Sequence, residues 1–144
     1  MRLVDYLDKG ASMGLDAPCL VCDGETMTYG DTIDLSNRIA SALVAHGVEQ
    51  GDKIAILSSN DPVAFTTVFG ISRAGAVWCP INPRNGAAEN REVLDIFDCS
   101  VLIFKAAYEP LVNEIRDDLP KAKTFLKGLP KQEANELLAE IGSR

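Results

Sequence analysis

Polar and cationic side chains follow directly on an apolar run that ends at residue 79. Residues 76–79 (Ala-Val-Trp-Cys) have the composition of a buried strand, and Pro80 and Pro83 then bracket an isoleucine and Asn82. Arg84 comes next, and its planar, permanently charged guanidinium group is suited to bind phosphate. Ligands of α/β proteins gather at the carboxyl ends of the strands. The stretch is therefore a candidate ligand-binding edge, and the alternative is a surface arginine on a rigid loop.

The cysteines and the histidine are weaker candidates. Cys19 and Cys22 match C-x-x-C, but the stretch has the composition of a strand, where residues three apart point to opposite faces. A redox pair lies at a helix N-terminus and a zinc site needs two more ligands, so we expect reduced thiols. His46 is the single histidine and precedes Gly47 at a predicted helix end, with no obvious catalytic partner. We predict no catalytic residue and no metal site in this chain.

Composition indicates one globular domain that does not bind nucleic acid. The chain has 144 residues, 47% of them hydrophobic and 24% charged. Its net charge of -7 disfavours a nucleic-acid surface, which needs clustered lysine and arginine. No stretch approaches the roughly 20 apolar residues of a membrane span, and the first residues do not resemble a signal peptide. We expect a cytoplasmic protein.

Apolar strands alternate with segments of helical periodicity along most of the chain. A short helix and a hairpin, with its turn at residues 23–24, precede this pattern. Strands are predicted at residues 53–57, 76–79, 101–104 and 124–126, and helices at 28–46, 63–73, 88–97, 108–119 and 131–141. This order predicts an α/β fold, a parallel sheet flanked by helices on both faces. We predict that residues 76–79 form a central strand with Trp78 in the core.

Local signals place several helix ends. Thr28 and Asp31 have the spacing of a capping box, in which each side chain accepts from the other residue's backbone N–H. Residues 58–61 (Ser-Ser-Asn-Asp) supply N-cap candidates, and Pro62 stands at the first helical position. Gly75 is expected to end the helix that precedes residue 76. The phosphate-binding motifs G-x-x-x-x-G-K-[ST] and G-x-G-x-x-G are absent from the sequence.

A series of short motifs lies between Met27 and Arg84: Thr28-Tyr29 with Asp31, Asn37-Arg38, Gly51-Asp52-Lys53, Asn60 with Pro62, Ala74-Gly75-Ala76 and Pro80-Ile81-Asn82-Pro83. With these pieces the sequence closely resembles the N-terminal part of AMP-forming acyl-CoA synthetases, members of the acyl-adenylate-forming superfamily. Each piece is short, but their order and spacing together are specific. The resemblance extends from about residue 3 to about residue 129.

The resemblance implies a two-step ligase that acts on a fatty or aromatic carboxylic acid. ATP and the acid give an acyl-adenylate and pyrophosphate, and coenzyme A then takes the acyl group, with Mg²⁺ as the metal ion. A carrier-protein acceptor is a neighbouring alternative. The family's Ser/Thr/Gly-rich phosphate loop, adenine-binding motifs and catalytic lysine have no counterpart in these 144 residues. We therefore expect an N-terminal fragment that is inactive alone and binds none of these cofactors tightly.

The resemblance gives two site residues and one alternative function. In some members an arginine after the Asn-Pro pair reaches the phosphates of coenzyme A, and Arg84 stands at that position, with Arg91 a weaker candidate. Residues 1–129 are assigned to the N-terminal α/β subdomain and 130–144 to a polar helix or tail. The alternative is a truncated, non-catalytic binding or assembly module. A fragment is also expected to self-associate through surfaces that the rest of the enzyme would cover.

Overall fold

The computed structural model describes residues 1–128, and its elements follow the predicted order. The helices are α1 (Leu3–Gly10), α2 (Tyr29–Ala45), α3 (Pro62–Arg73), α4 (Ala87–Ile96) and α5 (Glu109–Ile115). The strands are β1 (Pro18–Cys22), β2 (Glu25–Thr28), β3 (Lys53–Leu57), β4 (Val77–Pro80), β5 (Val101–Lys105) and β6 (Thr124–Gly128). The helix predicted at residues 131–141 and the proposed tail lie outside the described residues.

The main sheet has four strands in the order β4-β3-β5-β6, and all of its neighbours are parallel. β1 and β2 form a separate antiparallel hairpin before α2. The chain adds β4 on one side of β3, then crosses β3 to place β5 and β6 on the other side. The predicted α/β fold with a parallel sheet is confirmed.

Two apolar layers cover the two faces of the sheet. Ile54 of β3 packs in a cluster with residues of α2 and α3, among them Leu43 and Ile71. The next residue, Ala55, packs in the opposite cluster with residues of α4 and α5, including Leu94. This alternation follows from the two-residue period of a strand and explains why β3 is apolar along almost its whole length. The expectation of helices on both faces is confirmed.

Side-chain caps start the helices where the sequence predicts. The Thr28 hydroxyl accepts from the Asp31 N–H at 3.1 Å, and the Asp31 carboxylate accepts from the Thr28 N–H at 3.1 Å. Asp61 caps α3, accepting from the Val63 N–H at 2.7 Å. These bonds satisfy amides that have no partner within their own helix, so the start of each helix is fixed locally.

Residues in the left-handed region end α3 and α4 just before the strands that follow them. Gly75 has a φ of 80°, and the Ala76 N–H beyond it donates to the Ile71 carbonyl at 3.1 Å. Asp98 takes the same role after α4 with a φ of 55°, and the Cys99 N–H donates back into that helix. Gly75 pays no steric cost in this conformation, because it lacks a Cβ.

The structure corrects the prediction for β4, which is an edge strand. Within residues 1–128 it pairs only with β3, and its exposed fraction is 46% at Val77 and 42% at Trp78. The Val77 N–H donates to the Asp52 carbonyl and therefore points towards β3. Backbone groups alternate in direction along a strand, so the backbone nitrogens of Trp78 and Pro80 face the open edge. Proline has no N–H and is confined to such edges. The predictions of a central strand and a buried Trp78 were wrong.

Candidate functional site

The connections of the sheet open a crevice at its carboxyl edge. After β3 the chain enters α3, which packs on one face, whereas after β5 it leads to α5 on the other face. Because β3 and β5 are neighbours, their following segments separate at this point. Such a switch point is where open α/β sheets form ligand-binding crevices.

A depression of about 310 Å³, which includes solvent at its mouth, lies between the ends of β3 and β5. Apolar side chains from both strands and from the start of α3 form most of its wall. Its polar groups belong to Ser58, Asp61, Thr67 and Lys105. The Lys105 ammonium is 2.8 Å from the Asp61 carboxylate, so the charged pair spans the crevice.

Asp61 is held in its charged form. Partial burial raises the pKa of Asp61, but the hydrogen bonds from Lys105 and from the Val63 and Ala64 amides outweigh it and leave the pKa below its usual value. The Ser58 and Thr67 hydroxyls donate to backbone carbonyls of Ser59 and Val63, so they are already engaged. The crevice is therefore electrically balanced by its own residues.

Arg84 lies on a fixed turn after β4, at the same edge of the sheet. The Asn82 side-chain oxygen accepts from the Arg84 N–H at 2.9 Å, and the Asn82 carbonyl accepts from the Asn85 N–H at 3.1 Å. These bonds are those of an Asx turn, which Asn commonly forms. The Arg84 side chain is exposed, and its guanidinium has no ion pair within residues 1–128. Its charge is thus presented to solvent on a defined backbone.

Arg91 lies about one and a half turns into α4 and is half-buried. In the described part of the chain, no hydrogen bond or ion pair joins it to Arg84 or to the Asp61–Lys105 pair. The structure therefore places both predicted arginines in the segment after β4 but does not join them into one cluster. Their roles towards a ligand remain predictions.

Sequence reasoning missed Lys105 as a site residue. It is the last residue of β5 and interrupts an otherwise apolar strand at its carboxyl end. A charged residue at that position of a parallel strand is a signal for an edge site. Asp61 was recognised only as a helix cap, because its partner comes from a strand 40 residues later.

A serine motif near the N-terminus lacks the geometry of a catalytic nucleophile. Residues 10–14 (Gly-Ala-Ser-Met-Gly) match the spacing of a nucleophile elbow, but Ser12 lies in a 3₁₀ turn after α1 and donates to the Lys9 carbonyl. A nucleophile elbow requires a strand before the serine and a helix after it.

Residues 1–128 contain no group of three or more His, Cys, Asp or Glu side chains placed to hold a metal ion. In the same region, no helix is both long enough and apolar enough to cross a membrane.

The fold is a parallel α/β domain with a crevice at the carboxyl edge of its sheet. The AMP-binding enzyme family matches residues 7–143, and the chain belongs to this family. This match confirms the family resemblance that the sequence motifs indicate.

Its relatives include ligases for fatty and for aromatic acids. A medium/long-chain-fatty-acid–CoA/3-oxocholest-4-en-26-oate–CoA ligase of Mycobacterium marinum is 28% identical over 126 residues, covering 88% of this chain and 23% of the relative. A 3-hydroxybenzoate–CoA ligase of Aromatoleum sp. is 29% identical over 118 residues, covering 81% and 23%. The chain thus spans about a quarter of the length of these relatives.

The same fold occurs in a solved structure of an N-terminal domain. The N-terminal domain of FACL13 from Mycobacterium tuberculosis superposes with a TM-score of 0.85 at 26% identity, covering 96% of this chain and 36% of that one. The chain therefore corresponds to an N-terminal portion of an adenylate-forming enzyme.

Proposed function

We propose that this segment serves in an AMP-forming acid–thiol ligase and that Arg84 binds a phosphate of coenzyme A. The observation that carries the proposal is an exposed, unpaired guanidinium on a fixed turn at the carboxyl edge of the sheet. Guanidinium binds phosphate through parallel N–H donors and does not lose its charge at any physiological pH.

The ligase joins a carboxylic acid to a thiol by way of an acyl-adenylate. Adenylation converts the carboxylate, which resists nucleophilic attack, into an acyl group with a good leaving group. In this scheme Arg84 does not touch the reacting carbon. It holds the nucleotide end of the thiol substrate, so that the binding energy of a remote group positions the thiol.

The substrate class is a fatty or aromatic carboxylic acid, and the thiol is coenzyme A. Names of relatives support both acid types. ATP and Mg²⁺ belong to the complete ligase. The part of the site that we assign to this chain is the thiol side, through Arg84 on its turn after β4.

The exposed edge of β4 favours a second candidate, a non-catalytic module whose apolar edge is covered by a partner chain. The complete reading frame separates the two candidates. Continuation into a Ser/Thr/Gly-rich loop that ends in Pro-Lys supports the ligase. A reading frame that stops without such a loop supports the binding module.

The experiment is an arginine substitution in the enzyme encoded by the complete reading frame. Arg84→Ala should raise the KM for coenzyme A by about 10- to 100-fold, the expected loss for a charged hydrogen bond, and should leave ATP–pyrophosphate exchange unchanged. Arg116→Ala is the matched control, because Arg116 lies after α5 against Phe125 and away from the carboxyl edge. An unchanged KM for coenzyme A in Arg84→Ala would remove Arg84 from the site.

A further inference from the structure

Asn90 of α4 is fully buried, and only the NH₂ group of its side-chain amide forms a hydrogen bond within the described residues. Its exposed fraction is 0%. The side-chain NH₂ donates to the Asn85 carbonyl at 3.2 Å, whereas the side-chain oxygen Oδ1 has no partner within the described residues. The reverse orientation would place that oxygen against a carbonyl, so the donor side of the amide is fixed by its neighbour.

Packing alone does not account for an asparagine at this position. α4 presents Leu94 to the apolar layer one turn later, and a leucine at position 90 would have the same branching and number of heavy atoms without an orphaned acceptor. A buried polar atom without a partner destabilises the native state, and such atoms are rare in folded proteins. The residue is therefore better explained by what its NH₂ group holds.

The group that Asn90 holds is the turn that carries Arg84. Asn85 accepts from Asn90 through its carbonyl and donates its N–H to the Asn82 carbonyl. Asn82 in turn accepts from the Arg84 N–H through its side chain. The Asn90 N–H also donates to the Gly86 carbonyl at 3.1 Å. A continuous set of hydrogen bonds thus runs from the buried helix residue to the exposed arginine.

We propose that Asn90 is a positioning residue that fixes the Asn82–Gly86 turn and thereby the direction in which Arg84 meets a phosphate. The ligand part of this inference rests on the proposed function, whereas the positioning part concerns this chain alone. Asn90 itself does not touch the ligand.

The test is amide hydrogen exchange by NMR on the 144-residue chain and its Asn90→Leu variant. We expect the Arg84 and Asn85 amides to exchange about tenfold faster in the variant, because one anchoring hydrogen bond is lost. Core amides such as that of Leu102 should keep their rates, so the exchange at the turn is read independently of any change in Tm caused by the larger side chain. A purely structural role predicts unchanged exchange rates at the Arg84 and Asn85 amides.

Thr66→Val is the matched control for replacing a buried polar group in a helix. Thr66 is also 0% exposed, and its hydroxyl donates to the Pro62 carbonyl in α3. This variant should leave the Arg84 and Asn85 exchange rates unchanged. If Asn90→Leu does not fold, a scalar coupling across the hydrogen bond from Asn90 Nδ2 to the Asn85 carbonyl decides in the wild-type chain. Absence of that coupling overturns the inference, as do unchanged exchange rates in a folded Asn90→Leu.

Titration with adenosine 3′,5′-bisphosphate separates the positioning role from the proposed function. In the wild-type chain the Arg84 guanidinium signals should shift, Arg84→Ala should abolish binding, and Asn90→Leu should weaken it severalfold. No shift in the wild type contradicts the proposed function, and the exchange data then decide the positioning role independently. Equal affinities of the wild type and Asn90→Leu would overturn the ligand part of the inference.

Discussion

At the scale of single residues, Asp61 connects a helix start to a neighbouring strand through its two carboxylate oxygens. Oδ1 accepts from the Val63 N–H, and Oδ2 pairs with the Lys105 ammonium at 2.8 Å. One side chain therefore fixes the first turn of α3 and the carboxyl end of β5 together. This arrangement requires the charged carboxylate.

Asp61→Asn should therefore lower stability in a pH-dependent way. Asparagine is also a good N-cap, so the substitution removes mainly the charge pairing with Lys105. Because folding lowers the pKa of Asp61, its charge stabilises the fold above the usual carboxyl value of 3.8, and that contribution disappears as pH falls through the lowered pKa. We expect a loss of about 1–2 kcal/mol at pH 7 that diminishes below about pH 4.

Urea unfolding at a series of pH values measures this difference. Asp16→Asn is the control, since Asp16 is exposed and has no ion pair among residues 1–128, and it should change stability little at any pH. A loss of equal size at pH 7 and pH 3 would show that the Asp61 charge does not stabilise the fold.

Residues that act locally could be predicted from the sequence, whereas their long-range partners could not. The Thr28–Asp31 box and the Asp61 cap depend on groups within three residues, so their spacing is sufficient evidence. The bond from Asp61 to Lys105 depends on β3 and β5 being neighbours, which the sequence does not state. The orphaned oxygen of Asn90 likewise becomes visible only when the packing around α4 is known.

At the scale of elements, β4 lies at one end of the four-stranded sheet, and within residues 1–128 only its edge towards β3 is paired. Cys79 is 5% exposed, whereas the two residues before it, Val77 and Trp78, are 46% and 42% exposed. Most of the strand is therefore poorly covered by the helices. Truncating Trp78 should therefore cost far less than truncating a core residue.

We expect Trp78→Ser to lower the free energy of unfolding by about 1 kcal/mol or less. Leu102→Ala in β5, which is 1% exposed, should lower it by about 2–5 kcal/mol through the cavity it leaves. Chemical denaturation followed by far-UV circular dichroism measures both. Equal losses for the two variants would indicate that Trp78 belongs to the core.

The error at β4 has a specific cause in the sequence. Residues 76–79 are apolar on both faces, and a central strand has the same composition. The prediction followed this composition and did not use the proline that comes next. Pro80 was the available signal, since a proline inside a strand indicates an edge. Element types and most boundaries were predicted correctly because periodicity and caps are local. The position of β4 in the sheet was not predicted correctly, because strand order depends on long-range packing between apolar surfaces.

At the scale of the whole molecule, the chain spans 23% of the length of a ligase relative, and its 144 residues contain no glycine-rich phosphate loop. We therefore expect no pyrophosphate release above background when the 144 residues are incubated with ATP, Mg²⁺ and a panel of fatty and aromatic acids. A coupled pyrophosphate assay measures this, with a complete ligase as the positive control. Release that depends on the acid would show that activation needs fewer groups than the family reaction implies.

Pro80 also limits the hydrogen bonds that an added strand could form at the outer edge of β4. On the outer edge of β4 the backbone offers carbonyl acceptors, but proline removes a donor where an added strand would need one. An added strand would therefore form an incomplete set of backbone hydrogen bonds with β4. Such a strand would be a poor starting point for adding further strands to the sheet. We therefore expect that contacts through the exposed Trp78 side chain, if copies associate there, would not extend into fibrils from this edge.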